Sequence, residues 1–582
     1  MKKYNNGEFR KNDIDKEVTV HGWVNKRRDM GGVIFVDLRD RSGIIQIVFN
    51  REYLKDDFII AEGVKNEYCL EITGTIKART ESEINLSLDT GEIELIASSL
   101  KVLSESEELP FNIYDDENVN EQVALKYRYL DLRRNKLKNN IKVRHDLKKA
   151  IRNFLNQEDF YEIDTPILCK STPEGARDYI VPSRINKGSF YALPQSPQIF
   201  KQILMISGFE KYYQIATCFR DEDLRADRQP EFQQIDMEIS FAEEEDVWNI
   251  TERMIKQIWQ EIKNIDLPNF PRLTYKEALE KYGTDKPDTR FELTLQDLTE
   301  LLKDSAMNVF SNAIKEQGIA KCLVVKNNTY PRNEIDRLTE FVKPYGAKGL
   351  AWLKYEDNEF SGVIAKNLET EKLDSMKDLL NIENGDLILI VCGKPKVVYA
   401  SLAALRLKIA KDFDLIPKNK YNFLWITDFP MFEYSEEDSR WISVHHPFTM
   451  PKDINLLDDP ENCYARAYDI VCNGYEIASG SVRIHDPKLQ IEVFRKLGIS
   501  DEEAKNKFGF FLEAFKYGAP PHAGIAPGID RLVMLLVESD NIKDVISFPK
   551  TQSASDLMTG SPNTIDAKHL SELGLKVISD EK

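Results

Sequence analysis

Short runs of β-branched and apolar residues, broken by glycines and charges, open the chain: Val18 to Val24, Val33 to Leu38, Ile44 to Phe49, Tyr68 to Ile76 and Ile93 to Ile96. Such runs predict strands. A helix-like stretch from Asp57 to Val64 falls between the third and fourth. Five strands with one helix after the third is the order of an OB-fold barrel over 1–105, although another small barrel has the same ingredients. Leu109-Pro110 then opens a polar, acidic segment, Tyr114 to Glu121, and predicts a hinge over 106–135.

Beyond the hinge the period changes. From His145 to Phe160 the apolar residues Leu147, Ile151, Phe154 and Leu155 stand at i, i+4, i+7 and i+8, which predicts a helix with one buried stripe. Tyr161 to Leu168 follows as a strand interrupted by Pro166. Strand-like and polar segments alternate from Ser189 to Phe241, and strand-like segments return from Tyr421 to the end. Between them, Leu293 to Leu302, Gly349 to Lys354 and Asp386 to Cys392 have their own helical and strand patterns and read as an inserted α+β domain. The expected organisation is multidomain α/β. It comprises a barrel (1–105), a hinge (106–135), and a second domain in two parts, 136–289 and 421–582 with a C-terminal extension, separated by an insertion (290–420).

Composition narrows this little. No purely apolar run, Leu387 to Cys392 among the longest, approaches the ~20 residues of a membrane span, and the first twenty residues have no apolar signal core. No membrane association is expected, and a cytoplasmic location follows. Seven cysteines, an odd number with no CxxC pair, argue against a disulfide framework or a zinc ribbon. The net charge of −18 means that any nucleic acid would have to be held by local basic patches.

Two clusters carry candidate chemistry. Cys218 to Phe232 packs Arg220, Asp221, Glu222, Arg225, Arg228, Gln229 and Phe232 into fifteen residues. A guanidinium there can grip phosphate or carboxylate and a phenyl ring can stack on a purine, while a solvated charged hairpin would look similar. Gly518 to Leu532 places Gly524 and Gly528 ahead of an apolar helix containing Ile529, Asp530 and Arg531. Glycine permits close approach to a ligand there, although such turns also serve packing. Asp469 and Glu476 flank Asn473-Gly474, a pattern common to ordinary hairpins.

In order and type, these clusters resemble motifs 2 and 3 of the class II aminoacyl-tRNA synthetases. The helix from His145 with its following strand resembles motif 1, with Asp159 where the family usually has glycine. Longer blocks resemble the bacterial type of aspartyl-tRNA synthetase: Tyr127 to Arg134, Ser171 to Asp178, Gln195 to Gln202, His445 to Phe448 and Gly480 to His485. The resemblance implies a class II catalytic domain, an antiparallel sheet flanked by helices, that attaches aspartate to tRNA at the expense of ATP.

It also implies site residues. Arg220 and Arg531 would be catalytic. Lys201, His445 and Arg483 would surround the aspartate side chain, with Glu174, Ser196, Gln198, Ile199, Phe200 and Asp236 completing that subsite. Arg220, Asp221, Glu222, Gln229, Phe232, Glu476, Gly528, Ile529, Asp530 and Arg531 would hold ATP, and Asp469 and Glu476 would hold magnesium. Arg28, Phe35 and Gln46 on the barrel would meet the anticodon of tRNA(Asp). Charging of tRNA(Asn) as well is the alternative, and motif 1 implies a homodimer.

Independently of the resemblance, an aspartate pocket needs fixed cations. Lys201 and Arg483 suit that task, with Asp236 as the expected partner that keeps them in place when the pocket is empty.

Overall fold

The computed structural model describes residues 3–114, 119–172, 176–327 and 330–578. It contains two compact units, Met1–Lys136 and Leu137–Lys582.

In the first unit, β1 (Glu17–Asp29), β2 (Val33–Arg39), β3 (Ile44–Asn50), β4 (Cys69–Ala78) and β5 (Ile93–Ser104) close into a barrel with the order β1-β2-β3-β5-β4. Closure leaves no free strand edge. Short helices, Arg51–Leu54 and Phe58–Gly63, lie between β3 and β4. Alternation explains the interior: Ile34, Val36 and Leu38 of β2 point into the barrel core, whereas Phe35 and Asp37 between them do not.

The second unit begins with α1 (Asn135–Gln157), which starts ten residues before the predicted His145. Its first turns carry a polar inner face, so the apolar stripe does not announce them. Asn140 donates to the Asp544 carbonyl and Arg144 pairs with Asp530. Asp159 after this helix has φ +62, the left-handed conformation for which the family's glycine is suited. The strand predicted to Leu168 shrinks to β6 (Tyr161–Glu162), because Pro166 has no N–H to offer a ladder.

Next come α2 (Gln198–Ile206), β7 (Lys211–Phe219), β8 (Glu231–Ser240), α3 (Glu244–Lys263) and β9 (Arg272–Thr274). Three acidic residues in the first turn of α3 complement the helix dipole, and Asn264 in αL conformation ends it.

An inserted five-stranded sheet follows: β10 (Gln296–Asp297), β11 (Ile319–Val325), β12 (Ala351–Glu356), β13 (Glu359–Gly362) and β14 (Asp386–Gly393), in the order β10-β11-β14-β12-β13. The apolar run Leu387 to Cys392 lies in its central strand, β14. Leu387, Leu389 and Val391 pack into one core and Ile388 and Ile390 into another, so both faces are covered. Helix α4 (Pro395–Asp412) closes the first core.

The chain returns through β15 (Phe423–Thr427), β16 (Ala467–Cys472), β17 (Tyr475–Val482), β18 (His522–Pro527) and α5 (Ile529–Val537). These strands complete an eight-stranded sheet of order β9-β15-β16-β17-β18-β8-β7-β6. It is antiparallel except at its two edges, where β9 pairs with β15 and β6 with β7 in parallel. One face buries Ile235, Met237, Trp425, Tyr468 and Ile470 against α1, α3 and α5. The candidate site residues Gln234, Asp236 and Ser479 line a cavity on the opposite face. Among the described residues no helix is long and apolar enough to cross a membrane, and all seven cysteines are free thiols.

Candidate active site

A cavity of about 490 Å3 opens on that second face. Strand β8 shows how the sequence builds its floor. Ile235, Met237 and Ile239 point to the hydrophobic core, so Gln234, Asp236 and Glu238 are turned the other way by the period of two. Helix α2 contributes Gln198, Lys201, Gln202 and Met205 from one buried stripe at i, i+3, i+4 and i+7.

The closed end of the cavity holds two ion pairs in contact. Lys201 Nζ lies 2.7 Å from Asp236 Oδ1 and 3.3 Å from Glu238 Oε2. Arg483 donates from Nε to Glu238 Oε1 at 2.9 Å and from Nη2 to Oε2 at 3.2 Å. All four side chains are at most 2% exposed. The two cations and two anions balance, which makes such burial tolerable. Arg483 Nη1 also donates to Ser481 Oγ at 2.5 Å and to His446 Nε2 at 2.6 Å. That second bond requires the neutral imidazole, and burial with the adjacent guanidinium holds the His446 pKa well below its usual value. Burial raises the Asp236 carboxyl, while Glu238 ends below its usual range because Arg483 and Lys201 outweigh its burial.

The open end has a different character. The Arg220 guanidinium lies 5.0 Å over the Phe232 ring and has no carboxylate partner among the described residues. Arg531 donates to the Glu476 carbonyl at 2.7 Å and to Asp227 at 3.2 Å. Asn473 and Gly474 both take positive φ, giving the tight hairpin that sets Asp469 and Glu476 on adjoining strands. His445 Nε2 lies 3.4 Å from Asp469, and Lys286 Nζ lies 2.7 Å from Glu476. Burial raises the Asp469 carboxyl; at Glu476 the cations Lys286 and Arg531 overcome burial and bring it down to about 2.

A separate cluster sits on the outside of the barrel. Arg28 donates to Gln46 at 2.9 Å and to Asp37 at 3.3 Å, with its guanidinium 5.9 Å from the half-buried Phe35 ring.

Known proteins share this architecture. Residues 120–552 match the family "tRNA synthetases class II (D, K and N)" and residues 18–103 match "OB-fold nucleic acid binding domain". An aspartate–tRNA ligase of Staphylococcus saprophyticus is 52% identical over 97% of this chain and 97% of its own length. One from Macrococcus caseolyticus is 53% identical over 97% of this chain and 96% of its own.

The chain belongs to the aspartate–tRNA ligase family of class II tRNA synthetases. A solved aspartyl-tRNA synthetase from Entamoeba histolytica shares the fold, with a TM-score of 0.57 at 21% identity, covering 93% of this chain and 89% of that one.

Within this family fold, most of the residues singled out from sequence converge. Ser196, Gln198, Lys201, Arg220, Glu222, Gln229, Phe232, Asp236, His445, Asp469, Glu476, Arg483, Gly528, Asp530 and Arg531 all line the one cavity. Others do not. Ile199 packs with Phe448 and Phe508 in a separate apolar core, and with Phe200 it borders a second cavity of about 50 Å3. Ile529 is fully buried in the main core, and Asp221 turns to Arg177 at 3.6 Å. Glu174 lies outside the described residues.

Two placements change the expected role. Asp530 lines the cavity, yet one of its oxygens pairs with Arg144 at 2.5 Å and the other accepts the Gln233 N–H at 2.9 Å, so it ties α5 to α1 and β8. Gly524, expected to admit a ligand, instead admits Glu238: a Cβ there would stand 1.9 Å from Glu238 Oε2.

The sequence reading missed Glu238, His446 and Lys286. The spacing of Asp236 and Glu238 on a strand contained the signal for the first, since residues two apart share a face. His446 is the second of the adjacent pair His445-His446, of which the resemblance points to the first. No motif pointed to Lys286.

Replacing Glu238 by glutamine keeps the shape and removes one charge of the buried quartet, so urea denaturation should show a loss of about 3–5 kcal/mol. The partly exposed Arg228–Glu222 pair is the control, and Glu222→Gln should cost under about 1 kcal/mol. Equal losses would contradict the quartet's structural role.

Proposed function

We propose that this chain joins L-aspartate to tRNA(Asp) in two steps, using ATP to form an aspartyl-adenylate and pyrophosphate, then releasing AMP on transfer to the tRNA. The observation that carries this reading is the buried Lys201–Arg483 pair at the closed end of a nucleotide-sized cavity, with Arg220 stacked over the Phe232 ring. Aspartate bears a second carboxylate that asparagine lacks, and two fixed, prealigned cations recognise that difference.

In the first step the α-carboxylate of aspartate attacks the α-phosphorus in line, and pyrophosphate leaves. Arg220 bridges the attacking carboxylate and the α-phosphate, where negative charge accumulates. Adenine lies between Phe232 and Arg531, and Glu222 and Gln229 border the nucleotide. Gln198 Nε2, buried without a protein partner among the described residues, is available to the amino acid. The neutral His446 fixes the Arg483 fork.

Asp469 and Glu476 are hard oxygen donors on one hairpin, which fits magnesium that takes its remaining ligands from phosphate and water. Among the described residues no group of three or more metal-ligating side chains gathers there, in keeping with a shell shared with substrate. The ion would supply neutralisation of phosphate charge.

On the barrel, Phe35 offers a stacking face and Arg28 and Gln46 offer hydrogen bonds to unpaired anticodon bases. The five-part division of the chain given by its sequence is proposed with this function, as is a cytoplasmic homodimer. Exposed Tyr161, Phe209 and Phe241 near the β6 edge of the sheet are apolar surface that a second copy would cover.

Arg220→Ala should lower aspartate-dependent ATP–pyrophosphate exchange by at least about 100-fold while leaving tRNA binding near normal. Near-normal exchange would refute the assignment. Charging assays should give efficient transfer to purified tRNA(Asp) and little to tRNA(Asn); comparable transfer to both would mean that the barrel does not discriminate.

A further inference from the structure

Lys286 lies outside the five sequence blocks quoted above, and its Nζ lies 2.7 Å from Glu476, with both residues lining the main cavity. Its side chain is 37% exposed, so the ammonium stands at the cavity wall rather than within the core. The loop that carries it is fastened on both sides. Thr284 Oγ1 accepts the Lys286 N–H at 3.1 Å, and the buried Asp288 binds Arg290 at 2.7 Å. Asn422 donates to the Thr289 carbonyl at 2.9 Å and, through its own N–H, to Asn473 Oδ1 at 3.0 Å. The loop is thereby attached to the turn between Asp469 and Glu476.

Its other end is held by the insertion. Arg406 of α4 is 2% exposed and donates to the carbonyls of Phe291 at 3.0 Å and Leu293 at 2.7 Å. Its guanidinium also lies 4.0 Å over the Phe291 ring. A loop held this firmly brings one flexible cation to the cavity.

Charge decides what that cation is for. The cavity wall carries Asp469 and Glu476, and Glu222, Asp227 and Asp285 line it as well. A magnesium ion on Asp469 and Glu476 would offset part of the charge of a triphosphate, and a cation that can turn to the nucleotide would offset more. Arg531 is committed to the Glu476 carbonyl and Asp227. The lysine has a four-carbon stem and three rotatable donors, and can leave Glu476 for a phosphate oxygen by rotation alone.

We propose that Lys286 is a nucleotide-binding residue that grips the β- and γ-phosphates of ATP, and that its pairing with Glu476 is its resting position. This rests on the ATP-dependent reading above. Lys286 thereby becomes the point at which the loop leading to the inserted sheet enters the adenylation site.

The test compares ATP and AMP, since AMP lacks the two phosphates concerned. Equilibrium dialysis with Lys286→Gln should show ATP binding weakened by about tenfold and AMP binding unchanged, as for loss of one charge-assisted hydrogen bond. Lys286→Arg should recover most of the ATP affinity. Unchanged ATP affinity, or equal weakening for ATP and AMP, would overturn the proposal and leave Lys286 a partner of Glu476 only. Folding is checked by an unchanged thermal midpoint; should Lys286→Gln fail it, the same comparison is read from Lys286→Met. Wild-type exchange activity measured alongside separates the two claims. If the wild type lacks aspartate-dependent exchange, the functional reading fails. If it has exchange and the variants bind ATP as the wild type does, only the role of Lys286 fails.

Discussion

The catalytic unit depends on a buried charge balance. In the proposed role of Lys201 and Arg483, gripping a carboxylate depends on their being fixed and dehydrated, and burying two cations without partners would cost several kcal/mol each. Asp236 and Glu238 meet that cost. They also prevent either cation from folding outward to water, so the pocket is aligned before a substrate arrives. An incoming carboxylate then binds to groups that need little reorganisation.

The surrounding fold is arranged to make this balance possible. A strand buried on one face and functional on the other delivers Asp236 and Glu238 together. Gly524 on the neighbouring strand leaves the space that Glu238 fills, and α2 brings Lys201 down from above through a helical stripe. Farther along the same sheet, the Asn473-Gly474 hairpin sets two carboxylates beside Arg531 and Lys286. One sheet thus holds a closed, charge-balanced end and an open end where Lys286 and Arg531 are paired with carboxylates and a carbonyl at the cavity wall. The clamp of Arg144 and Gln233 on Asp530 keeps the helix after β18 in step with both.

Much of this was legible in the sequence where local pattern and function coincide. The barrel strands, the amphipathic helix over Leu147 to Leu155 and the central strand of the inserted sheet each have a period or an apolar run that specifies them. The motif residues Arg220, Phe232 and Arg531 are dense enough to stand out. What escaped was of another kind. The first turns of α1 are held by polar contacts from Asn140 and Arg144 to residues about 400 positions away, so no local periodicity reveals them. Glu238 reads as one more charge until strand alternation puts it beside Asp236. Ile199 and Ile529 sit next to candidate site residues in sequence, yet helix geometry turns their side chains into apolar packing, and Phe200 borders a separate small cavity. Adjacency in a motif therefore overstates the site, and partnership across the sheet is what a single sequence conceals.

Isothermal titration of aspartate and asparagine into the wild-type protein and Lys201→Met tests the central claim most directly. The charge-balanced pocket predicts that the wild type strongly prefers aspartate and that the variant loses most of that preference while its ATP affinity stays the same. A variant that still prefers aspartate as strongly as the wild type would contradict the account.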